Sequence, residues 1–174
     1  MEFETVLAMR RSTRRFTLEP VAASDLEAIL RAGQRAPLAA GDDKTTHLTL
    51  IGAGETLEQL RKVCLLTRKT GEKVDAFYGA QAMIVVSAAD VSDDHIEFAN
   101  AGCVIENMHL QATALGLGSC YIWGCLRKLR ADADAVAALR LPEGYQILSA
   151  LAVGHPAQPL TALEYREKIA VTRL

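Results

Sequence analysis

Long apolar runs are missing from this 174-residue chain. The longest, Ala82 to Ala89, is interrupted by Ser87 and falls far short of the roughly 20 residues that cross a bilayer. Charge of one sign is not in excess either: 19 Lys and Arg face 21 Asp and Glu, a formal net charge of -2. That balance excludes a global basic field for nucleic acid or an anionic membrane, so a phosphate ligand would have to be met by a local basic cluster. The first twelve residues carry two acids and end in Arg10 and Arg11, Ser12, the reverse of a secretion signal's order, and a cytoplasmic protein is expected.

Cysteine is scarce and scattered. Cys64, Cys103, Cys120 and Cys125 show no C-x-x-C spacing and are expected to be buried free thiols. His47, His95, His109 and His155 have neither H-E-x-x-H nor other paired metal spacing, so no metal is expected, and His109 reads as a hydrogen-bonded core imidazole. No G-x-S-x-G elbow supports a hydrolase. Repeats, low-complexity segments and linkers are also lacking, and a single domain over residues 1–174 is expected. With half its residues hydrophobic and 23% charged, a domain of this size buries roughly 70% of its unfolded surface.

What is present alternates between helical and strand patterns. Phe3, Val6 and Leu7 give a short helix one apolar face, and Arg10-Arg11-Ser12-Thr13-Arg14-Arg15 follows directly. Ser24 and Glu27 have capping-box spacing, which starts a second helix with Leu26, Ile29 and Leu30 as its buried stripe. Residues 35–44, with Pro37 and Gly41, break periodicity and read as a loop. A strand is expected over 47–51, a helix carrying Leu57, Leu60, Val63 and Cys64, a polar loop near Gly71, and a buried strand at Met83-Ile84-Val85-Val86. From about Asp94 to Leu115 the pattern is helical and apolar in nearly every direction, so part of that helix is expected to be covered by a second copy of the chain. Gly116 and Gly118 stop it, a strand over 119–123 follows, then a weaker helical stretch through Leu139 and a strand over 147–153. Interleaved strands and helices make an α/β or α+β sandwich.

Two further segments invite a ligand. Arg10, Arg11, Ser12 and Arg14 are phosphate-competent side chains at a helix-to-loop junction, because guanidinium forks meet phosphate oxygens two at a time. On spacing alone a solvated charge run is the favoured reading, because surface arginines are common. Gly52-Ala53-Gly54 follows a strand and opens a helix, but Leu57 takes the third glycine's place and argues against a dinucleotide site. Trp123 on its own reads as core packing.

Taken together, Arg10-Arg11-Ser12-Thr13-Arg14-Arg15-Phe16, Arg35-Ala36-Pro37-Leu38-Ala39, Tyr78-Gly79-Ala80, Ala99-Asn100-Ala101-Gly102, Gly116-Leu117-Gly118 and Leu141-Pro142-Glu143-Gly144-Tyr145 with Ala152-Val153-Gly154-His155-Pro156 resemble the nitroreductase family of flavoproteins. They occur in that family's order and cover almost the whole chain. The resemblance implies an α+β fold, a three-layer α-β-α sandwich with a mixed or antiparallel central sheet and the long helix at a homodimer interface, binding one FMN per subunit there.

It also implies roles. Arg10, Arg11, Ser12 and Arg14 would hold the FMN phosphate and the pyrimidine side of the ring. Pro37, Leu38 and Ala39 would lie against the isoalloxazine, and Ile122, Trp123 and Gly124 would stand where a backbone amide meets flavin N5. Lys168, with Arg166 second, would complete the phosphate site. Where the family's loop continues with Ser, Asn, Gln and an aromatic residue, this chain has Leu38, Gly41, Asp42, Asp43, Lys44 and Thr45, so side-chain bonds to the flavin edge are expected to be missing or supplied by backbone. The implied activity is ping-pong hydride transfer from NADH or NADPH through FMN to electrophilic aromatics such as nitro compounds or quinones. The alternatives are a non-catalytic flavin-holding protein and a specialised chemistry such as reductive dehalogenation or flavin fragmentation.

Overall fold

The β-branched run around Val85 becomes the centre of an antiparallel sheet. The computed structural model describes residues 1–41 and 44–174; Asp42 and Asp43, singled out above, lie outside the described residues. In chain order the elements are α1 (Phe3–Met9), α2 (Ala23–Gly33), a 3-10 turn (Ala39–Gly41), β1 (Thr46–Ile51), α3 (Glu55–Val63), β2 (Leu65–Thr67) and β3 (Lys73–Asp75). They continue with β4 (Ala82–Ala88), α4 (Ile96–Ala114), β5 (Gly118–Ile122), α5 (Leu126–Ala131), α6 (Ala133–Ala138) and β6 (Gln146–Gly154).

The main sheet has the order β1-β4-β6-β5, and every neighbouring pair is antiparallel. All seven residues of β4 are buried, as a central strand covered on both faces must be. Alternation sends Met83 and Val85 to one side, against Leu57, Leu60, Leu126 and Leu129 of α3 and α5. Ile84 and Val86 go to the other, against Leu26 and Ile29 of α2 and Val104, Ile105 and Met108 of α4. Helices on both faces of one antiparallel sheet make the α-β-α sandwich of an α+β fold.

The long helix is 19 residues, about 28 Å by its rise. It ends in a Schellman motif: Gly116 has φ +78, its amide donates to Thr113 O, and the Leu117 amide donates to Ala112 O. Its inner face buries Ala101, Val104, Ile105, Met108 and Ala112, while Ala99 and Cys103 are exposed. Cys103 thus departs from the expectation of four buried thiols; Cys64, Cys120 and Cys125 do pack in the core.

Other local readings are corrected. α2 begins one residue before Ser24, with Ala22 in the cap position and no side-chain cap bond, so the Ser24–Glu27 capping box does not form. The helical stretch before Leu139 is cut in two because Asp132 caps α6, accepting from the Ala135 amide at 2.9 Å, a bond that a helix-interior Asp could not make. The polar loop near Gly71 is the turn of the small β2–β3 hairpin. Phe3 and Leu7 of α1 remain exposed, and only Val6 is buried. β1 is an antiparallel edge strand, so Gly52-Ala53-Gly54 does not belong to a parallel βαβ dinucleotide unit.

The arginine segment crosses the end of the sheet. The Thr13 amide donates to Ser119 O at 2.8 Å, Thr17 N to His155 O at 2.9 Å and Ala157 N to Arg15 O at 3.0 Å. Gly118 and Gly154, opposed in the β5–β6 register, make room for it. A Cβ on Gly118 would stand 2.8 Å from the Thr13 side chain, and one on Gly154 2.9 Å from the Phe16 ring. Gly118→Ala is therefore expected to cost about 1 to 3 kcal/mol through overpacking, and to lower the melting temperature by at least about 2 °C. A thermal melt overlaying the unsubstituted protein would contradict this.

Candidate functional site

Once pinned, the arginine segment points its side chains in different directions. Arg10 turns back toward α4, where its Nε lies 3.3 Å from Glu106 Oε1. Arg10 also lines a cleft of about 400 Å³. Arg166 and Lys168 line the same cleft, so the structure brings the basic residue near the chain's end to Arg10. Arg11 is occupied: its Nε donates to Met9 O at 3.2 Å and its Nη2 donates to Thr161 O. Arg14 is exposed, its guanidinium 6.0 Å from the centre of the Tyr78 ring. Burial raises the pKa of the Cys120 thiol, and Arg14 and then Ser12 oppose the rise.

Tyr78 owes its place to an ion pair. It sits at φ 59 in a turn whose amides at Phe77 and Gly79 both donate to the Asp75 carboxylate, each at 2.8 Å. Arg61 pairs with that carboxylate and donates to Ala80 O as well. Paying one carboxylate with two amides and a guanidinium holds a left-handed tyrosine that would otherwise be strained.

At the end of β5 the structure corrects the reading of Trp123. Its side chain is 53% exposed and meets Phe98 edge to face at 5.7 Å instead of packing into the core. Below it lies Arg130, whose guanidinium is 6.0 Å from the indole centre. The same guanidinium donates from Nε to Ile147 O at 2.7 Å and from Nη2 to Leu148 O at 2.8 Å. Those carbonyls belong to an irregularity in the β4–β6 ladder, where Ser87 pairs with Ile147 and Val86 with Ser149, so one arginine satisfies the bulge and supports the tryptophan. Ile122 is buried and offers only its backbone. A Cβ on Gly124 would meet nothing within 4 Å, so a planar ligand can approach its backbone.

The Pro37-Leu38-Ala39 loop lies elsewhere. The Ala39 amide donates to Asn100 Oδ1 at 2.9 Å, and Leu38 lines a separate cavity of about 540 Å³ with Gly33, Thr46 and His47. Asn100, which holds this loop, and Glu106, which holds Arg10, are about 9 Å apart along α4 and about 120° apart around it. One copy of the chain therefore presents the arginine segment and the proline loop on different faces of α4. Asn100, Glu106, Asp75 and Arg130 had no assigned role in the sequence reading. An acid or amide on an apolar helix was the available signal for the first two; Asp75 and Arg130 act on backbone and leave no pattern.

His109 fulfils its expectation: it is buried, with Nε2 3.3 Å from Arg11 O and 3.2 Å from Ser119 O.

This chain shares its fold, an antiparallel sheet between helix layers, with solved nitroreductases. A Bacteroides fragilis nitroreductase with bound FMN superposes with a TM-score of 0.80 at 26% identity, covering 100% of this chain and 99% of that one. A Desulfitobacterium hafniense nitroreductase with bound FMN gives 0.79 at 20% identity, covering 99% and 100%, a likeness of fold. The chain belongs to the nitroreductase family, whose model matches residues 7–155. It is also 28% identical over 176 aligned positions to the NADPH-flavin oxidoreductase of Vibrio harveyi; the match covers 89% of this chain and spans 65% of that relative's length.

Replacing Arg130 with Met removes two charge-assisted bonds to ladder carbonyls, for an expected loss of about 3 kcal/mol. Urea unfolding followed by Trp123 fluorescence measures it, and an unchanged midpoint would show that the bulge needs no guanidinium.

Proposed function

We propose that this protein binds FMN and passes hydride from NADPH or NADH to a small electrophilic aromatic, such as a nitro compound or a quinone. The observation that carries the reading is the convergence of Arg10, Arg166 and Lys168 on one cleft in a chain whose overall charge is slightly negative. The donor set fits a phosphate ester. Arg10, Arg166 and Lys168 line the cleft, outnumbering the acids Glu4 and Glu164 there, and the Gly124 backbone is open for a flat ring. FMN, when bound, supplies the redox chemistry by accepting a hydride at N5 and giving it up again.

In this reading Arg10, Ser12, Lys168 and Arg166 hold the phosphate. Arg11 secures the C-terminal segment through Thr161 O and contributes positive charge. Arg14 places a cation at the pyrimidine edge, where negative charge develops on reduction. The Gly124 amide donates toward N5, with Ile122 and Trp123 forming the wall beside it, and Pro37, Leu38 and Ala39 cover the ring. Because the loop and the arginine segment face different sides of α4, the loop comes from a second copy, and the protein works as a homodimer.

Surface area supports that assembly. The chain exposes 10532 Å², against about 8,300 Å² expected of a compact monomer of its mass. Part of the excess is apolar, with Tyr165 84% and Ile169 82% exposed. No helix among the described residues is long and apolar enough to cross a membrane, and the cytoplasm is the compartment proposed. The whole chain acts as one domain, with neither nucleic acid nor membrane as partner.

Purified protein should show flavin absorption, and anaerobic NADPH or NADH should bleach it. Arg10→Ala combined with Ser12→Ala is expected to weaken FMN about 100-fold, two charge-assisted bonds at about 1.5 kcal/mol each. Unaltered affinity in that variant would remove the segment from the site. Flavin that binds tightly yet resists both nicotinamides would point to the flavin-holding reading instead.

A further inference from the structure

The Glu106 carboxylate stands where a phosphate site would not ordinarily want one. Its Oε1 takes the Nε of Arg10 at 3.3 Å, and its Oε2 lies 3.6 Å from Nδ1 of His109. His109 is in turn locked: it is buried on α4, and its Nε2 reaches the carbonyls of both Arg11 and Ser119. The imidazole thus ties the arginine segment to strand β5 through Nε2, with the carboxylate beside its other ring nitrogen. Glu106 and His109 are three residues apart, on the face of α4 that meets α1 and the arginine segment. Contact with His109, and secondarily the charge of Arg10, holds the Glu106 carboxyl below the usual carboxylate range, so it is an anion at neutral pH.

From this geometry we infer that Glu106 is a positioning residue that fixes the guanidinium of Arg10 with its two terminal amino groups turned toward the phosphate cleft. The inference rests on the FMN reading above. A free arginine side chain loses roughly 2 kcal/mol of rotamer freedom on being fixed. Holding it at Nε before the ligand arrives spends that cost in advance and spares the edge that meets phosphate two oxygens at a time. Other charged residues lining the cleft are Glu4 on α1 and Glu164, Arg166 and Lys168 of the C-terminal segment.

The role has a sign that separates it from the obvious alternative. A carboxylate acting only as a nearby negative charge repels the phosphate, and its removal tightens FMN. A positioning carboxylate does the reverse. Equilibrium dissociation constants for FMN and for riboflavin, which lacks the phosphate, are to be measured by flavin fluorescence on the full chain and on Glu106→Ala, Arg10→Ala and the double variant. Glu106 is exposed on a helix, so alanine there preserves the fold, and an unchanged riboflavin constant verifies it.

Glu106→Ala is expected to lower the preference for FMN over riboflavin about 10-fold. In the Arg10→Ala background the same change should have no further effect, the mark of a residue acting through another. A preference that is unchanged or raised in Glu106→Ala, or that falls equally in both backgrounds, overturns the inference. If the unsubstituted protein itself fails to prefer FMN to riboflavin, the functional reading falls and takes this one with it.

Discussion

The close approach of one backbone segment to the end of a sheet is the constraint on which the rest of this structure depends. Residues 12–17 run over β5 and β6 at hydrogen-bond distance, and they can do so only because Gly118 and Gly154 face each other in the register without side chains. With the backbone fixed there, Arg10 and Arg14 leave it in defined directions, one toward α4 and the other over Tyr78. A basic run in a flexible loop would present an averaged charge. Here the sheet gives each guanidinium an address.

The long helix α4 organises what surrounds that segment. Its inner face closes the core against Ile84 and Val86, as its apolar residues require. Three polar residues elsewhere around the helix each hold a separate piece of the candidate site: Asn100 the loop at Ala39, Glu106 the guanidinium of Arg10, and His109 the backbone at Arg11. The outer face, with Ala99 and Cys103, stays open to solvent in the single chain. A helix that is core on one side and scaffold on another explains why so few of its positions are freely polar.

Much of this was readable in advance, for identifiable reasons. The strand at Met83 to Val86, the helix ending at Gly116 and the β6 strand carry strong, long signals of burial and chain reversal, and each forms as read. The arginine segment was visible because four phosphate-competent side chains fall within five positions. What escaped the reading depends on neighbours distant in sequence. Trp123 is exposed because Arg130 beneath it bonds to carbonyls of β6. The capping box at Ser24 fails because α2 already begins at Ala23, with Ala22 in the cap position. The β2–β3 hairpin joins strands of only three residues, too short for alternation to show.

On the proposed reading, guanidinium groups at the sheet end grip a phosphate ester while a second copy of the chain covers the attached ring. A crystal structure of the protein grown with FMN tests it most directly. The account predicts phosphate oxygens within about 3 Å of the Arg10 terminal nitrogens, Arg166 or Lys168 beside them, and the Pro37 to Ala39 loop of the other copy against the ring. A phosphate bound away from Arg10, or a cleft filled by side chains with flavin elsewhere, would contradict it.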